Sequence, residues 1–138
     1  MQRWKNVLFN IVLSINCILL LFVLAGDKLH VPAWLQVVGR MHPLALHFPI
    51  VLLLLYIAWS VFVQAKAKTT VTGPEDEIGK WLLLGTAVTA AVTALMGFLL
   101  SKEPGYNPEA LWWHKWGGIA ISVFSFVWYA FRNAIHRQ

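Results

Sequence analysis

Four stretches of the sequence, each close to twenty residues long, are almost entirely apolar, and together they take up most of the 138-residue chain. A helix needs roughly 20 apolar residues to cross the hydrocarbon core of a bilayer. Hydrophobic residues make up 59% of the chain and charged residues only 12%, which is too apolar for an ordinary soluble domain. The sequence therefore predicts an integral membrane protein whose main solvent is the lipid bilayer.

The predicted fold class is all-α, a single membrane domain over residues 1–138 that forms an antiparallel, up-down-up-down four-helix bundle. Its helices are predicted at about residues 7–25, 43–65, 78–101 and 108–132. Pro43 and Pro108 are suited to the first turn of a helix, and Asn107 has the position of a cap. Pro49 lies one turn inside the second helix, where it frees the carbonyl of Ala45 and predicts a kink.

The connection before the second span contains Pro32, which predicts a short helix lying on the membrane surface. In the first span, Asn10, Ser14 and Cys17 follow each other at helical spacing, and we expect this polar seam to face other helices. Cys17 is the only cysteine, which excludes an intrachain disulfide and covalent c-type haem. The N-terminal stretch is similar to a secretory signal, but its length favours a retained helix.

The basic residues stand singly at the ends of the apolar stretches, so the net charge of +5 indicates topology and not a nucleic-acid partner. Seven of them fall on the side of the two termini and four on the other. The bias predicts a multi-pass protein of a bacterial inner (cytoplasmic) membrane with both termini in the cytoplasm. The two sets are Arg3, Lys5, Lys66, Lys68, Lys80, Arg132 and Arg137, and Lys28, Arg40, Lys102 and Lys115.

Three histidines, His42, His47 and His114, are predicted at one level of the membrane, on the outer side. His47 lies about one turn inside an apolar run, where a polar group is costly unless it faces the bundle and has a partner. An antiparallel arrangement brings the start of the second helix, the end of the third and the start of the fourth together. His47, Gly97 and His114 are then expected to meet, with Gly118 one turn below His114 on the same face.

This pattern suits a bis-histidine haem b, which takes imidazoles from two facing helices, small residues beneath the macrocycle and cations near its propionates. The predicted ligands are His47 and His114, with His42 as an alternative, and the predicted propionate partners are Arg40, Lys102 and Lys115. His42 and His47 cannot serve one haem together, because five residues separate them by about 140° around a helix. Two other interpretations are open. The three histidines could together bind a metal ion, or they could be purely structural.

No serine, cysteine or lysine is placed with a base and an orienting acid in a recognisable pattern, so no catalytic residue is predicted. His30 and His136 are expected to be solvated.

The stretch of residues 41–52, MHPLALHFPIVL, resembles an uncharacterised bacterial membrane-domain family with a His-Pro followed by a His-Phe-Pro. Two further stretches resemble it as well: Gly97 to Tyr106, GFLLSKEPGY, and Trp113 to Gly118, WHKWGG. Members of that family are often fused to c-type cytochrome domains, and the bundle is similar to haem-b membrane cytochromes. The resemblance implies electron transfer, and its histidine positions fall on His42, His47 and His114.

The sequence therefore favours a membrane redox subunit, at most one part of an oxidoreductase complex. It would carry electrons through haem b between the quinol pool and a periplasmic or neighbouring redox partner. Its expected partners are the lipid bilayer, quinone and other membrane or periplasmic redox subunits. The alternative is a cofactor-free anchor subunit of a larger membrane complex.

Overall fold

The computed structural model describes residues 2–26, 31–66 and 74–135 and folds them into six α-helices. These are α1 Gln2–Ala25, α2 Ala33–Arg40, α3 His42–Ala45, α4 His47–Lys66, α5 Pro74–Leu100 and α6 Pro108–Ile135. No strand occurs in these ranges, so the all-α class is confirmed. The expectations for Lys28, His30, Lys68, His136 and Arg137 concern positions outside the described residues.

The segment from Ala33 to Lys66 is broken twice, at Met41 and at Leu46. The second break lies three residues before Pro49, whose missing N–H and bulky ring disfavour a regular helix through the preceding turn. The hydroxyl of Thr93 on α5 donates to the carbonyl of Ala45 at 3.4 Å. The interruption predicted at Pro49 is therefore confirmed, and a neighbouring helix supplies a donor to the freed carbonyl.

The start of α6 is fixed by its cap. The Oδ1 of Asn107 accepts hydrogen bonds from the backbone N–H groups of Glu109 and Ala110, at 3.0 and 3.1 Å. These are two of the donors that a helix N-terminus leaves without an intrahelical partner. Gly105, in the preceding turn, has a φ of 103°, which glycine adopts without strain.

Helix α5 lies at the centre of the fold. It packs against α1, α2, α3, α4 and α6, whereas within the described residues α4 makes no close backbone contact with α1 or α6. In the apolar segment of α5, 50% of the residues are buried, against 17% for α1 and 11% for the segment containing α4. Small side chains explain this central position, because Ala87, Ala90, Ala91 and Ala94 are all buried and let other helices approach closely. The helices thus surround α5 without closing a ring, and their up-down order stays a prediction.

Three helical segments are long and apolar enough to span a membrane: Arg3–Ala25, Ala33–Lys66 and Glu77–Leu100. Helix α6 is not among them, because its tryptophans, serines and charged residues lower its mean hydropathy. Its 28 residues nevertheless make it about 42 Å long at 1.5 Å per residue. The fourth span therefore remains a prediction that rests on length and on its packing along α5.

Helix α1 packs against the other helices with a different face from the one predicted. Asn10, Ser14 and Cys17 are all exposed, so the expectation that they face other helices is not met within the described part of the chain. The buried face carries Val12 and Asn16, and Asn16 Oδ1 accepts a hydrogen bond from Ser122 of α6 at 2.9 Å. The Asn16 amide also donates to the Val12 carbonyl at 3.0 Å, so this buried polar link is well paired.

The two ends of α5 differ in chemistry. At the end that we call the histidine end, the start of α3, the last turns of α5 and the first turns of α6 meet. At the opposite end, the hydroxyl of Tyr56 accepts hydrogen bonds from Trp128 at 3.0 Å and Arg132 at 2.9 Å. Lys5 forms an ion pair with Glu77 there.

Candidate functional site

His42 and His114 lie side by side at the histidine end. Their Nε2 atoms are 3.4 Å apart, and their rings are perpendicular with centroids 5.6 Å apart. His42 comes from α3 and His114 from the second turn of α6, so the pair joins two helices that are distant in sequence. His42 is 9% exposed, which places a titratable side chain inside the fold.

The ring of His42 is held in one orientation by α5. Its Nδ1 lies 2.9 Å from the backbone carbonyl of Thr93. A carbonyl oxygen only accepts, so Nδ1 carries the proton and Nε2 of the neutral ring has the free lone pair. His114 then donates from its Nε2 to His42. A ring nitrogen fixed by a backbone carbonyl is the arrangement that orients histidine ligands in metal and haem sites.

Thr93 and Pro49 together position the His42 ring. The backbone oxygen of Thr93 accepts from His42, while its hydroxyl donates to Ala45. One residue of α5 therefore holds both ends of the short helix α3. That helix is a separate piece because Pro49 interrupts the chain after it.

Gly97 makes room for the His42 ring. A Cβ at position 97 would lie 2.9 Å from Cε1 and 3.0 Å from Nδ1 of His42, closer than side chains normally approach. The sequence places Gly97 beneath a flat ligand, whereas in the structure it accommodates the histidine ring itself. Gly118 differs, because a Cβ there meets nothing within 4 Å.

The structure does not place His47 beside His114. It is exposed, and its Nδ1 bonds to the carbonyl of Pro43 in its own helical segment at 3.0 Å. The expectation that His47 faces the bundle is therefore wrong. Only one of two histidines about 140° apart can point at α5, and the break at Leu46 turns His42 inward.

Two cavities flank the histidine pair, and both are lined by His42 and His114. The first, of about 360 Å³, lies between α4, α5 and α6 and is bounded by apolar side chains and by the glycines of α6. The second, of about 410 Å³, lies toward the turn between α5 and α6 and includes Gly97 and Tyr106. The histidine pair therefore separates two spaces of similar size.

A third cavity, of about 630 Å³, continues the first one toward the opposite end. The two share Leu53 of α4 and Ile121 of α6. From His114 to Trp128 the groove extends 14 residues along α6, which is about 21 Å. It exists because the backbones of α4 and α6 are not in close contact, although Tyr56 links the two helices at the far end, and small residues of α5 form its floor.

Residues 40–138 match the model of a family described as Predicted membrane protein (DUF2231). The chain belongs to the DUF2231 family. No curated protein and no solved structure matches it. The DUF2231 match begins at Arg40 and includes all the residues of the histidine pair and its surroundings, whereas α1 and most of α2 lie before it.

Within the DUF2231 region lie the predicted propionate partners, of which Arg40 is at the surface. Its side chain is 67% exposed, and its Nε donates to Glu103 at 2.9 Å. The guanidinium has four further N–H donors, so it can still bind an acidic group at the surface. Lys102 donates to the carbonyl of Gly26 at 2.9 Å and is thereby tied to the end of α1.

A metal ion bound by His42, His47 and His114 together receives no support. Among the described residues, no group of three or more His, Cys, Asp or Glu side chains is close enough to hold a metal ion. The residue that sequence reasoning missed is Thr93. Its signal was present, because the carbonyl freed by Pro49 needs a donor, and Thr93 is a hydroxyl residue near the matching level of α5.

Proposed function

We propose that this DUF2231 protein is a membrane redox subunit that binds one haem b through His42 and His114. It would pass electrons between the quinol pool and a redox partner at the histidine end. The observation that carries the proposal is the histidine pair itself, with Nε2 atoms facing each other between two cavities. The ligand pair differs from the predicted one, because His42 takes the place of His47.

The residues present fit a bis-histidine haem in their chemistry, because His42 and His114 would offer imidazole nitrogens from two different helices. A Cβ added at Gly118 meets nothing within 4 Å, so the surface of α6 near the pair is open. The cavities of about 360 and 410 Å³, which both rings line, would provide space for the group.

The chain's own contribution would be the orientation of the ligands. The Thr93 carbonyl holds the His42 ring and increases the basicity of its other nitrogen. Leu46 and Trp113 line the cavity of about 360 Å³ beside the pair, while His114 itself is exposed. Arg40 stands at the surface as a partner for acidic groups. Haem would supply reversible one-electron transfer, which the side chains alone cannot provide.

The groove between α4 and α6 supports the quinol part of the proposal. It is about 21 Å long and apolar, runs between two helices whose backbones are not in close contact, and ends at the histidine pair. A prenyl chain needs an elongated apolar path of this kind. A quinol head group at the histidine end of the groove would lie beside His114 and Trp113.

The decisive experiment is a visible spectrum of the purified protein from haem-replete cells, oxidised and then reduced with dithionite. We expect the sharp band of a six-coordinate b-type haem. His42→Ala and His114→Ala should each abolish this band, and His47→Ala should keep it. Protein without any haem band would overturn the proposal, and a band lost in His47→Ala and His114→Ala but kept in His42→Ala would identify His47 and His114 as the ligands instead.

A cofactor-free anchor subunit is the second candidate, and one observation favours it. The 3.4 Å contact between the two rings is a hydrogen bond that pairs both nitrogens without any ligand. Under this function the histidines only join α3 to α6. The same spectrum distinguishes the two candidates, because an anchor subunit shows no haem band while its His42→Ala variant still loses stability.

A further inference from the structure

The outward face of α1 carries a polar stripe in a helix that is long and apolar enough to span the membrane. At 100° per residue, Asn10, Ser14 and Cys17 fall within an arc of about 60°. The buried face of the same helix, centred near Val12 and Asn16, is about 160° away. The stripe therefore points away from the rest of the chain.

Asn10 is the residue of the stripe whose exposure to lipid is energetically costly. Its side chain has no hydrogen-bond partner among the described residues, although it lies seven residues, or about 10 Å, inside Arg3. That depth falls within a hydrocarbon core about 30 Å thick. An amide exposed to lipid loses its hydrogen bonds to water without replacement, so it favours association with a polar group on another helix.

We propose that this face of α1 pairs with the same face of a second copy of the chain. Two copies in one membrane have the same topology, so a two-fold axis along the membrane normal places each residue opposite its own equivalent. Asn10 then faces Asn10 at the same depth. An amide has both donors and an acceptor, so two of them satisfy each other in this arrangement.

The rest of the stripe is compatible with close pairing. Ser14 and Cys17 are small, which lets two helix backbones approach. Arg3 lies on the same side of α1 but at its end, where its long side chain can reach the aqueous boundary. Since α1 precedes the region matched to the family, the proposed interface belongs to a part of the chain separate from the histidine pair. The proposal does not depend on haem.

The native cysteine allows a direct test with the 138-residue chain. Because Cys17 is the only cysteine, mild oxidation of membranes can form only one intermolecular disulfide, in which two thiols give up two electrons and two protons to the oxidant. We expect a disulfide-linked dimer in a non-reducing gel. Asn10→Leu should weaken dimerisation about tenfold, or about 1.4 kcal/mol, when the dimer fraction is followed against protein-to-lipid ratio.

The matched control moves the thiol around the helix at almost the same depth. Ile18 is exposed and lies 100° from Cys17, so Ile18→Cys combined with Cys17→Ser should crosslink far less. Equal crosslinking from both positions would indicate random collision and overturn the proposal. A monomer at all protein-to-lipid ratios, or an Asn10→Leu variant that dimerises as well as the wild type, would overturn it too.

Discussion

Replacing Gly97 with alanine tests how the histidine pair is built. The added Cβ would stand 2.9 Å from Cε1 and 3.0 Å from Nδ1 of His42. Carbon atoms pack best at about 3.5–4.0 Å, so the ring or the helix must move by roughly 0.6–1 Å. The ring cannot move freely, because its Nδ1 is bonded to the Thr93 carbonyl at 2.9 Å.

Three contributions determine how much Gly97→Ala changes the free energy of unfolding. Overpacking of this kind costs about 1–3 kcal/mol. If the ring leaves Thr93, the unpaired buried groups cost about 1–3 kcal/mol more. Alanine in place of glycine in a helix regains about 1 kcal/mol. We therefore expect Gly97→Ala to lower the free energy of unfolding by up to about 2 kcal/mol if the ring keeps its bond to Thr93, and by about 1–5 kcal/mol if it loses that bond.

Gly118→Ala is the matched control. A Cβ at this position meets nothing within 4 Å, so only the gain in helix propensity, up to about 1 kcal/mol, remains. Thermal unfolding in detergent, followed by circular dichroism, should place Gly97→Ala below the wild type and Gly118→Ala at or above it. The nitrogen resonances of the His42 ring should shift only in Gly97→Ala. Equal stability of the two variants with unchanged ring resonances would refute the packing argument.

Three other contacts give predictions of the same kind. Gly39→Ala would put a Cβ 2.8 Å from the backbone nitrogen of Leu100, so we expect a loss of about 1–3 kcal/mol in detergent unfolding; wild-type stability would contradict this. A double-mutant cycle of Asn16→Ala and Ser122→Ala should give a coupling of about 0.6–2 kcal/mol, and a coupling of zero would show that their hydrogen bond contributes nothing. Tyr56→Phe removes the acceptor for two hydrogen bonds from α6 and should cost about 1–2 kcal/mol; unchanged stability and tryptophan emission would contradict this.

The class of the fold could be predicted because apolar runs of spanning length have few solutions. The helix starts at Pro108 and the break near Pro49 were also predictable, since proline restricts the backbone in a known way. The level at which His42 and His114 meet followed from segment order alone. What the sequence did not determine is which helix becomes central, because that depends on how small residues of α5 fit against every other helix.

The sequence did not predict the rotation of each helix about its own axis. In α4, apolar residues occur all around the helix, so no periodicity indicates which side faces α5. Depth in the apolar run favours His47 as the inward histidine, whereas in the structure the segment before the break at Leu46 has His42 inward. In α1 the polar seam of Asn10, Ser14 and Cys17 was expected to pack inside. A single Asn16 bonded to Ser122 occupies the interior instead, because packing against α5 set the rotation.

The hydrogen bond between the two rings predicts that they are unequal as ligands. A ring nitrogen that binds iron must offer its lone pair, and the Thr93 carbonyl already fixes His42 with its lone pair at Nε2. His114 donates from its Nε2, so it must move that proton to its other nitrogen before it can bind. Under the proposed function, His42 would be the preorganised ligand and His114 the one that must change its tautomer.

Removal of each ring should consequently have a different effect on bound haem. His114→Ala leaves His42 held by Thr93, and we expect a reduced amount of five-coordinate, high-spin haem. His42→Ala leaves His114 without any orienting contact among the described residues, and we expect almost no haem. Haem content per protein and the visible spectrum measure both effects. Greater retention in His42→Ala than in His114→Ala would show that Thr93 does not preorganise the site.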